Sequence, residues 1–305
     1  MRLASIALIC ALAAPLATFA APSDDEISAA RLAYIDGNFN AALPVLQEAA
    51  DAGNARALNI LGAAYEDGHG VVKDTRKAID FFERAAKAGE VRASYNLGSL
   101  FTFGSGDVSA DLARATREFQ TAADQNYPPA ITALGQLQEL AEPPNHDAAA
   151  DWYEKGHDAG DVVGTANLAH AYLKGRGRPV NWIKARVLYT EAAARGYPRA
   201  FNDLGVMHED GYGVHMDQLT AFSFFKQGVD RGYPKAGVNL AELIIAARFP
   251  FSSKHAALGY CIWALERVEA RERAEFESDC AAVRKEIAPD EAMLERARIF
   301  ANRIN

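Results

Sequence analysis

The hydroxyl of Ser223 and the amine of Lys226 stand three residues apart in Ser223-Phe224-Phe225-Lys226, a spacing that puts both on one face of a helix. That is the Ser-x-x-Lys arrangement of penicillin-interacting enzymes, but the Ser-Asp-Asn and Lys-Thr-Gly elements that accompany it there are missing from this chain. A second candidate is the Gly-x-Gly turn of Gly68-His69-Gly70, Gly104-Ser105-Gly106, Gly175-Arg176-Gly177 and Gly211-Tyr212-Gly213. A phosphate-cradling loop follows a strand and occurs once or twice, whereas these turns recur between helical stretches, so backbone geometry accounts for them. The 7 histidines show no His-x-x-x-His pair and no carboxylate spacing of the zinc type. No metal and no other cofactor is therefore expected, and no catalytic residue.

Two features survive this sieve. Asn96, Asn167, Asp203 and Asn239 recur one residue before a repeated leucine, where they would form a ladder along successive helices. Each either contacts a ligand or ties one repeat to its neighbour, because a buried amide needs partners in both roles. Cys261 and Cys280 are the other feature, 19 residues apart. In an oxidising compartment they would pair across a short helical hairpin and fasten the C-terminal end; otherwise they lie as two buried thiols.

The elements that must carry these residues are written in a repeat. A Leu-Gly or Leu-Ala pair returns at Leu61, Leu97, Leu134, Leu168, Leu204 and Leu240, at intervals of 36, 37, 34, 36 and 36 residues. A small residue stands four before each Leu, from Ala57 to Ala236, and a larger one four after it, as at Tyr65, Phe101, Tyr172 and His208. The three positions share one helix face. A second helix follows, with Ala78, Ala115 or Ala185 near its start and a small pair such as Ala85-Ala86 near its end. It closes at Gly89, Gly160, Gly196 or Gly232, with Asn126 in the equivalent place. Ser223 falls in register with Asp80, Arg117, Asp151 and Val187, and Lys226 with Glu83, Gln120, Glu154 and Thr190. That is the composition of a solvated helix face. Tyr127-Pro128, Tyr197-Pro198 and Tyr233-Pro234 recur between units, where Pro fits just before the next helix and Tyr packs on the preceding unit.

The run Ala57-x-x-x-Leu61-Gly62-x-x-Tyr65-x-x-Gly68-x-Gly70-Val71-x-x-Asp74-x-x-Lys77-Ala78, ending in Ala85-Ala86-x-x-Gly89, resembles the Sel1-like repeat family, relatives of tetratricopeptide repeats. The resemblance covers most of residues 55–267; the unit from Ala130 departs, with Gln138 in the aromatic position and Glu142-Pro143-Pro144-Asn145-His146 in place of the turn. It implies an all-α, right-handed superhelical solenoid of about seven helical hairpins. Residues 21–54 read as a shorter tetratricopeptide-like hairpin and residues 268–305 as C-terminal capping helices, with Pro289 opening the last one. In related tetratricopeptide arrays the first helices line the concave surface, and asparagines there grip an extended peptide. The function this implies is a monomeric scaffold or regulator that binds a protein or peptide of the cell envelope through its groove. Signalling, envelope assembly and exopolysaccharide control are the settings the family suggests. The alternatives are an envelope enzyme of the peptidoglycan or β-lactam hydrolase type, since some cysteine-rich relatives are linked to β-lactams, or a structural part of an envelope complex. This chain lacks the cysteine pair that those relatives carry in every repeat.

The first twenty residues read as a secretory signal peptide: Arg2, then an apolar stretch from Ile6 to Leu16, then Thr18-Phe19-Ala20. The stretch is too short to span a bilayer, and the polar Ser23-Asp24-Asp25-Glu26 follows it without a stop-transfer pattern. Cys10 lies mid-stretch, where it does not suit lipidation, and would leave with the signal. The mature protein is expected to be periplasmic or secreted, without membrane insertion. The full chain carries a formal charge of −8, and loss of Arg2 makes it one unit more negative, which disfavours a nucleic-acid partner. Expression in a bacterial host is expected to yield an exported form beginning at Ala21. An intact mass that includes Met1 to Ala20 on the exported protein would refute this.

Overall fold

The computed structural model describes residues 21–247, 253–270 and 272–304. The expected signal peptide lies outside them, as does its cleavage point. Among the described residues there are 16 helices and no strand. They run as α1 (Asp24–Ile35) and α2 (Phe39–Asp51), α3 (Ala55–Asp67) and α4 (Thr75–Lys87), α5 (Val91–Phe103) and α6 (Leu112–Asp124), and α7 (Pro128–Leu140) and α8 (His146–Asp158). Then come α9 (Val162–Lys174) and α10 (Trp182–Ala194), α11 (Pro198–Asp210) and α12 (Gln218–Asp230), and α13 (Pro234–Ala247) and α14 (Lys254–Arg267), followed by α15 (Arg273–Ile287) and α16 (Glu291–Ala301). This is an all-α solenoid of successive hairpins, the class expected from the repeat.

The helices fall into two compact units. One comprises the described residues up to Leu97 together with Gly104–Ser109; the other comprises Gly98–Phe103 and the described residues from Ala110 onward. Within the first, α1 packs on α2, α2 on α3 and α3 on α4; within the second, each helix from α6 to α14 packs on the next, and α16 lies on α14. First helices of neighbouring hairpins also touch in the second unit, α7 with α9 and α11 with α13, while among the described residues the second helices α8, α10, α12 and α14 do not approach one another as closely. The first helices therefore form the tighter, inner row of that unit.

Four hairpins close on the same contact. A ring on the second helix lies against the residue that follows the marker Leu on the first, as in Phe82 on Gly62, Phe119 on Gly98, Tyr153 on Gly135 and Phe225 on Gly205. A Cβ added at Gly205 would sit 2.5 Å from Cδ1 of Phe225, well inside van der Waals contact. These rings are almost wholly buried, with Phe82 and Phe225 at 0% exposure, and full burial of such a side chain stabilises by roughly 1.5–3 kcal/mol. The small residue is what allows the two helices to come this near.

Hydrogen bonds set the turn between the paired helices. The residue before each second helix donates its amide to the carbonyl of the large residue of the first: Asp74 to Tyr65 (2.9 Å), Asp111 to Phe101 (2.7 Å), Asn145 to Gln138, Asn181 to Tyr172 and Asp217 to His208 (each 2.9 Å). Its side chain then accepts from an amide of the first helical turn, so the same residue is also the N-cap. Asn145 does this in the unit that lost its Gly-x-Gly turn, which is why α8 still starts in register. Gly68 and Gly211 close α3 and α11 at φ 78° and 76°, the left-handed conformation that a Cβ disfavours. Lys77 over Tyr65, Arg114 over Phe101 and Lys184 over Tyr172 place a cation on the ring of the first helix at 5.2, 4.0 and 4.3 Å from its centroid.

Two boundaries differ from the sequence reading. Pro128, Pro198 and Pro234 are the first residues of their helices rather than the residues before them, because the missing N–H of a proline costs nothing at a position that has no intrahelical acceptor. Pro289 does not open α16: Asp290 is its N-cap, accepting from the Met293 amide at 2.7 Å, and Pro289 stands just outside. A carboxylate satisfies an orphan amide, and a proline at that site cannot.

Gly205→Val is expected to destabilise the protein by about 1–3 kcal/mol through overpacking against Phe225. Urea unfolding followed by far-UV circular dichroism reads this directly, and an unchanged midpoint would contradict the contact.

Candidate functional site: a polar row on the first helices

The residue before the marker Leu and the residue two after it are three apart, so both face along the same side of each first helix. In the second unit this side carries Asn167 and His170 on α9, Asp203 on α11, and Asn239 and Glu242 on α13. The structure brings three of the four predicted ladder residues into one hydrogen-bonded chain. Asn239 Nδ2 donates to Asn202 Oδ1 at 2.8 Å, and Asn202 Nδ2 donates to Asp203 Oδ1 at 3.2 Å. Arg199 completes it, with Nε 3.4 Å from Asp203 Oδ2 and Nη1 donating to Asn167 Oδ1 at 3.3 Å. Asn96 belongs to the first unit, where its Nδ2 donates to Asn59 Oδ1 at 3.0 Å.

Asn96 to Asn59 and Asn239 to Asn202 are the same contact made twice, each across 37 residues. The donor precedes one marker Leu by one residue, and the acceptor precedes the previous marker Leu by two. Asn59, Asn202 and Arg199 were missed in the sequence because the reading tracked one register position, while the clasp joins two. The signal was present as Asn at both positions of neighbouring units. Each amide has one end tied to the adjacent repeat, and the Oδ1 atoms of Asn96 and Asn239 make no side-chain hydrogen bond among the described residues.

The electrostatics here keep Arg199 charged and leave the neighbouring imidazole and phenols neutral. Burial raises the Asp203 carboxyl, an effect that Arg199 opposes. Burial works against the Arg199 charge in turn but is outweighed by Asp203 and the surrounding phenols of Tyr189, Tyr233 and Tyr197, so the guanidinium stays charged. Burial, reinforced by Arg199, Arg176 and Lys174, lowers His170 to about 4, which leaves a neutral imidazole whose Nδ1 is 3.5 Å from the Tyr189 hydroxyl. Burial also raises Tyr233 to about 12 and keeps Tyr189 protonated. On the same row, burial raises Glu209 to about 7, with Asp210 and Glu242 adding to the effect.

The chemistry-bearing motifs are not assembled into a reactive centre. Ser223 is exposed, and the Lys226 ammonium is engaged by the Asp230 carboxylate on the same helix. Among the described residues no three His, Cys, Asp or Glu side chains are placed to hold a metal ion, and no helix is long and apolar enough to cross a membrane. Cys261 and Cys280 lie side by side as buried thiols.

Repeated hairpins with a ring of the second helix packed on a small residue of the first, and a polar row along the first helices, define an all-α helical repeat protein. Residues 55–90, 91–127, 128–161, 163–197 and 198–233 each match the Sel1 repeat, and the chain belongs to that family. Sel1 repeats generally mediate protein interactions, and such scaffolds are typically non-enzymatic. Among solved structures it is similar to a Sel1 repeat protein from Oxalobacter formigenes, with a TM-score of 0.64 and 22% identity, covering 85% of this chain and 97% of that one. It is also similar to c5321, a protective antigen of uropathogenic Escherichia coli, with a TM-score of 0.57 and 23% identity, covering 90% of this chain and 60% of that one. Among curated proteins it is 32% identical over 133 residues to an uncharacterised protein of Neisseria meningitidis, covering 43% of this chain and 27% of that one. It is 28% identical over 149 residues to chitin synthase regulatory factor 3 of Schizosaccharomyces pombe, covering 46% of this chain and 16% of that one. The match thus spans about a quarter of the first and a sixth of the second.

The raised Glu209 pKa makes a signed prediction. A carboxyl that holds its proton more tightly when folded, about 7 against an ordinary 4.5, contributes stability that is complete below the ordinary value. That contribution is lost as pH rises through the folded one. Glu209→Gln is therefore expected to melt higher than the parent protein at about pH 8, with the difference shrinking toward about pH 5. A difference independent of pH would remove Glu209 from this role.

Proposed function

We propose that this protein is an exported, periplasmic Sel1 repeat scaffold or regulator that holds an extended segment of an envelope protein along the inner row of first helices. The observation that carries the reading is the polar row itself. It presents an amide oxygen that makes no side-chain bond, that of Asn239, and the partly exposed, neutral imidazole of His170, both on first helices. Such groups match the alternating donors and acceptors of a peptide backbone, which needs no charge complement. The recurrence of the row across repeats suits a partner that is extended rather than globular. A regulatory role has the support of one relative, named as a regulatory factor of chitin synthase, of which the match covers 16%. Export is supported by the signal-like residues 1–20, with α1 opening directly after them under a capping box of Ser23 and Glu26.

The test is affinity capture by the mature protein, residues 21–305, from an envelope extract, quantified by mass spectrometry. Gln136 and Glu242 are exposed and occupy the position two after the marker Leu on α7 and α13, so Gln136→Lys/Glu242→Lys alters the row without touching the amide clasps. Val187, 57% exposed on α10, supplies the control Val187→Lys on a second helix. Capture is expected to fall about tenfold or more in the row variant and to persist in the control. Equal capture by both, or loss in the control alone, would place the binding surface elsewhere.

A further inference from the structure

Cys261 on α14 occupies a distinctive register. It follows Ala257 by four residues, as Phe82 follows Ala78, Phe119 follows Ala115, Tyr153 follows Ala149, Tyr189 follows Ala185 and Phe225 follows Ala221. Five hairpins place a ring there, packed on the first helix; the last hairpin places a thiol. Repeat packing alone does not ask for sulfur at this position. The substitution falls in the hairpin against which α15 packs, and α15 supplies Cys280. The two thiols are both buried, at 3% and 7% exposure, and lie side by side in the wall of one cavity.

Access to them runs through a cavity of about 470 Å³ between α14, α15 and α16, whose wall includes both cysteines. Ile262, Leu265 and Leu294 give it apolar sides, and the exposed Arg284 and Arg298 stand among its lining residues. That volume admits a small molecule.

We propose that Cys261 and Cys280 are a redox modification site, oxidised by a small-molecule disulfide that enters this cavity, to give an intramolecular bond tying α14 to α15. The balance is that of thiol–disulfide exchange. One cysteine thiolate attacks the entering disulfide, forming a mixed disulfide and expelling one thiolate. The second cysteine then attacks the cysteine sulfur of the mixed disulfide and expels the other thiolate. The pair loses two electrons and two protons, and the entering disulfide gains them as two thiols. The bond would fasten the terminal helices of a solenoid, the elements that have a neighbour on one side only. The neighbouring Cys280 thiol, with burial, holds the Cys261 thiol well above the usual thiol range, so the pair does not act as an open nucleophile, and exchange is slow rather than catalytic.

The folded mature protein is incubated overnight with oxidised glutathione at about pH 8, where free thiolate begins to be populated, then quenched in acid and mapped without reduction. Both thiols are expected to disappear together, the peptides carrying Cys261 and Cys280 to migrate as one linked species lighter by two hydrogens, and the melting temperature to rise by about 5 °C. Dithiothreitol is expected to reverse all three, and Cys280→Ser to show none of them. Two thiols that still titrate in denaturant would overturn the proposal. So would cysteines that carry glutathione without a cross-link. Because the first readout uses the unmodified protein, poor folding of the variant would not rescue the idea.

Discussion

A ring of the second helix pressed on a glycine of the first sets the distance at which four of the hairpins close, and the other recurring contacts operate at that distance. With Phe82 on Gly62 and Phe225 on Gly205, the backbone of the first helix comes near enough for the N-cap residue of the second to reach a carbonyl at its end. The amide of Asp217 meets the His208 carbonyl at 2.9 Å while its carboxylate caps α12. Lys184 over Tyr172 and Arg114 over Phe101 then place a cation on the buried aromatic at the end of the first helix. At Gly62, Gly98, Gly135 and Gly205 a β-carbon would meet the opposing ring at 2.5–2.6 Å, so there the ring would have to move. Where the chain has Ala169 instead of Gly, the opposing Tyr189 is still fully buried, so the contact tolerates one methyl in one unit.

Once spacing between helices is set by apolar contact, register between repeats is left to polar groups. The apolar faces of neighbouring hairpins could slide with little change in buried area, since hydrophobic burial is non-directional. Amide–amide bonds across 37 residues permit one register only. In the second unit the Arg199–Asp203 pair extends the clasp from α13 to α9. A buried ion pair gives little net stability against an apolar alternative, so its contribution here is placement of the inner row. The Oδ1 atoms of Asn96 and Asn239 make no side-chain bond among the described residues, so each clasp uses one end of its donor amide.

The C-terminal helices obey a different rule. Cys261 stands where a ring would close the hairpin, and the space beside it is bounded by α15 and α16 rather than by another repeat. Phe300 on α16 meets Tyr260 edge to face at 5.1 Å and lies over Gly259, which repeats the ring-on-glycine device with a helix outside the repeat pattern. The array is thus terminated by its own packing chemistry, supplied from a helix that has no successor to hold.

Much of this was legible in the chain. The marker leucines, the small residues four before them and the glycines at the helix ends implied helical hairpins and their number, because a helix face and a helix terminus each demand particular residue types over a span of a few positions. Asn96, Asn167, Asp203 and Asn239 were legible as a periodic polar feature. Their bonds were not, since Asn202 and Arg199 sit at other positions of the repeat and only the stacking of α9, α11 and α13 brings them together. Pro289 illustrates the same limit at short range: proline tolerates both the first helical position and the one outside the cap, and Asp290 took the cap because its carboxylate satisfies an amide. That Cys261 and Cys280 meet was a matter of tertiary structure, for a spacing of 19 residues is compatible with contact and with separation. Sequence by itself determined which residues must be buried and where each helix must end, because those are local free energies. Tertiary structure decided which polar groups find one another, because the partner of a hydrogen bond is chosen by the packing of residues far apart in the chain.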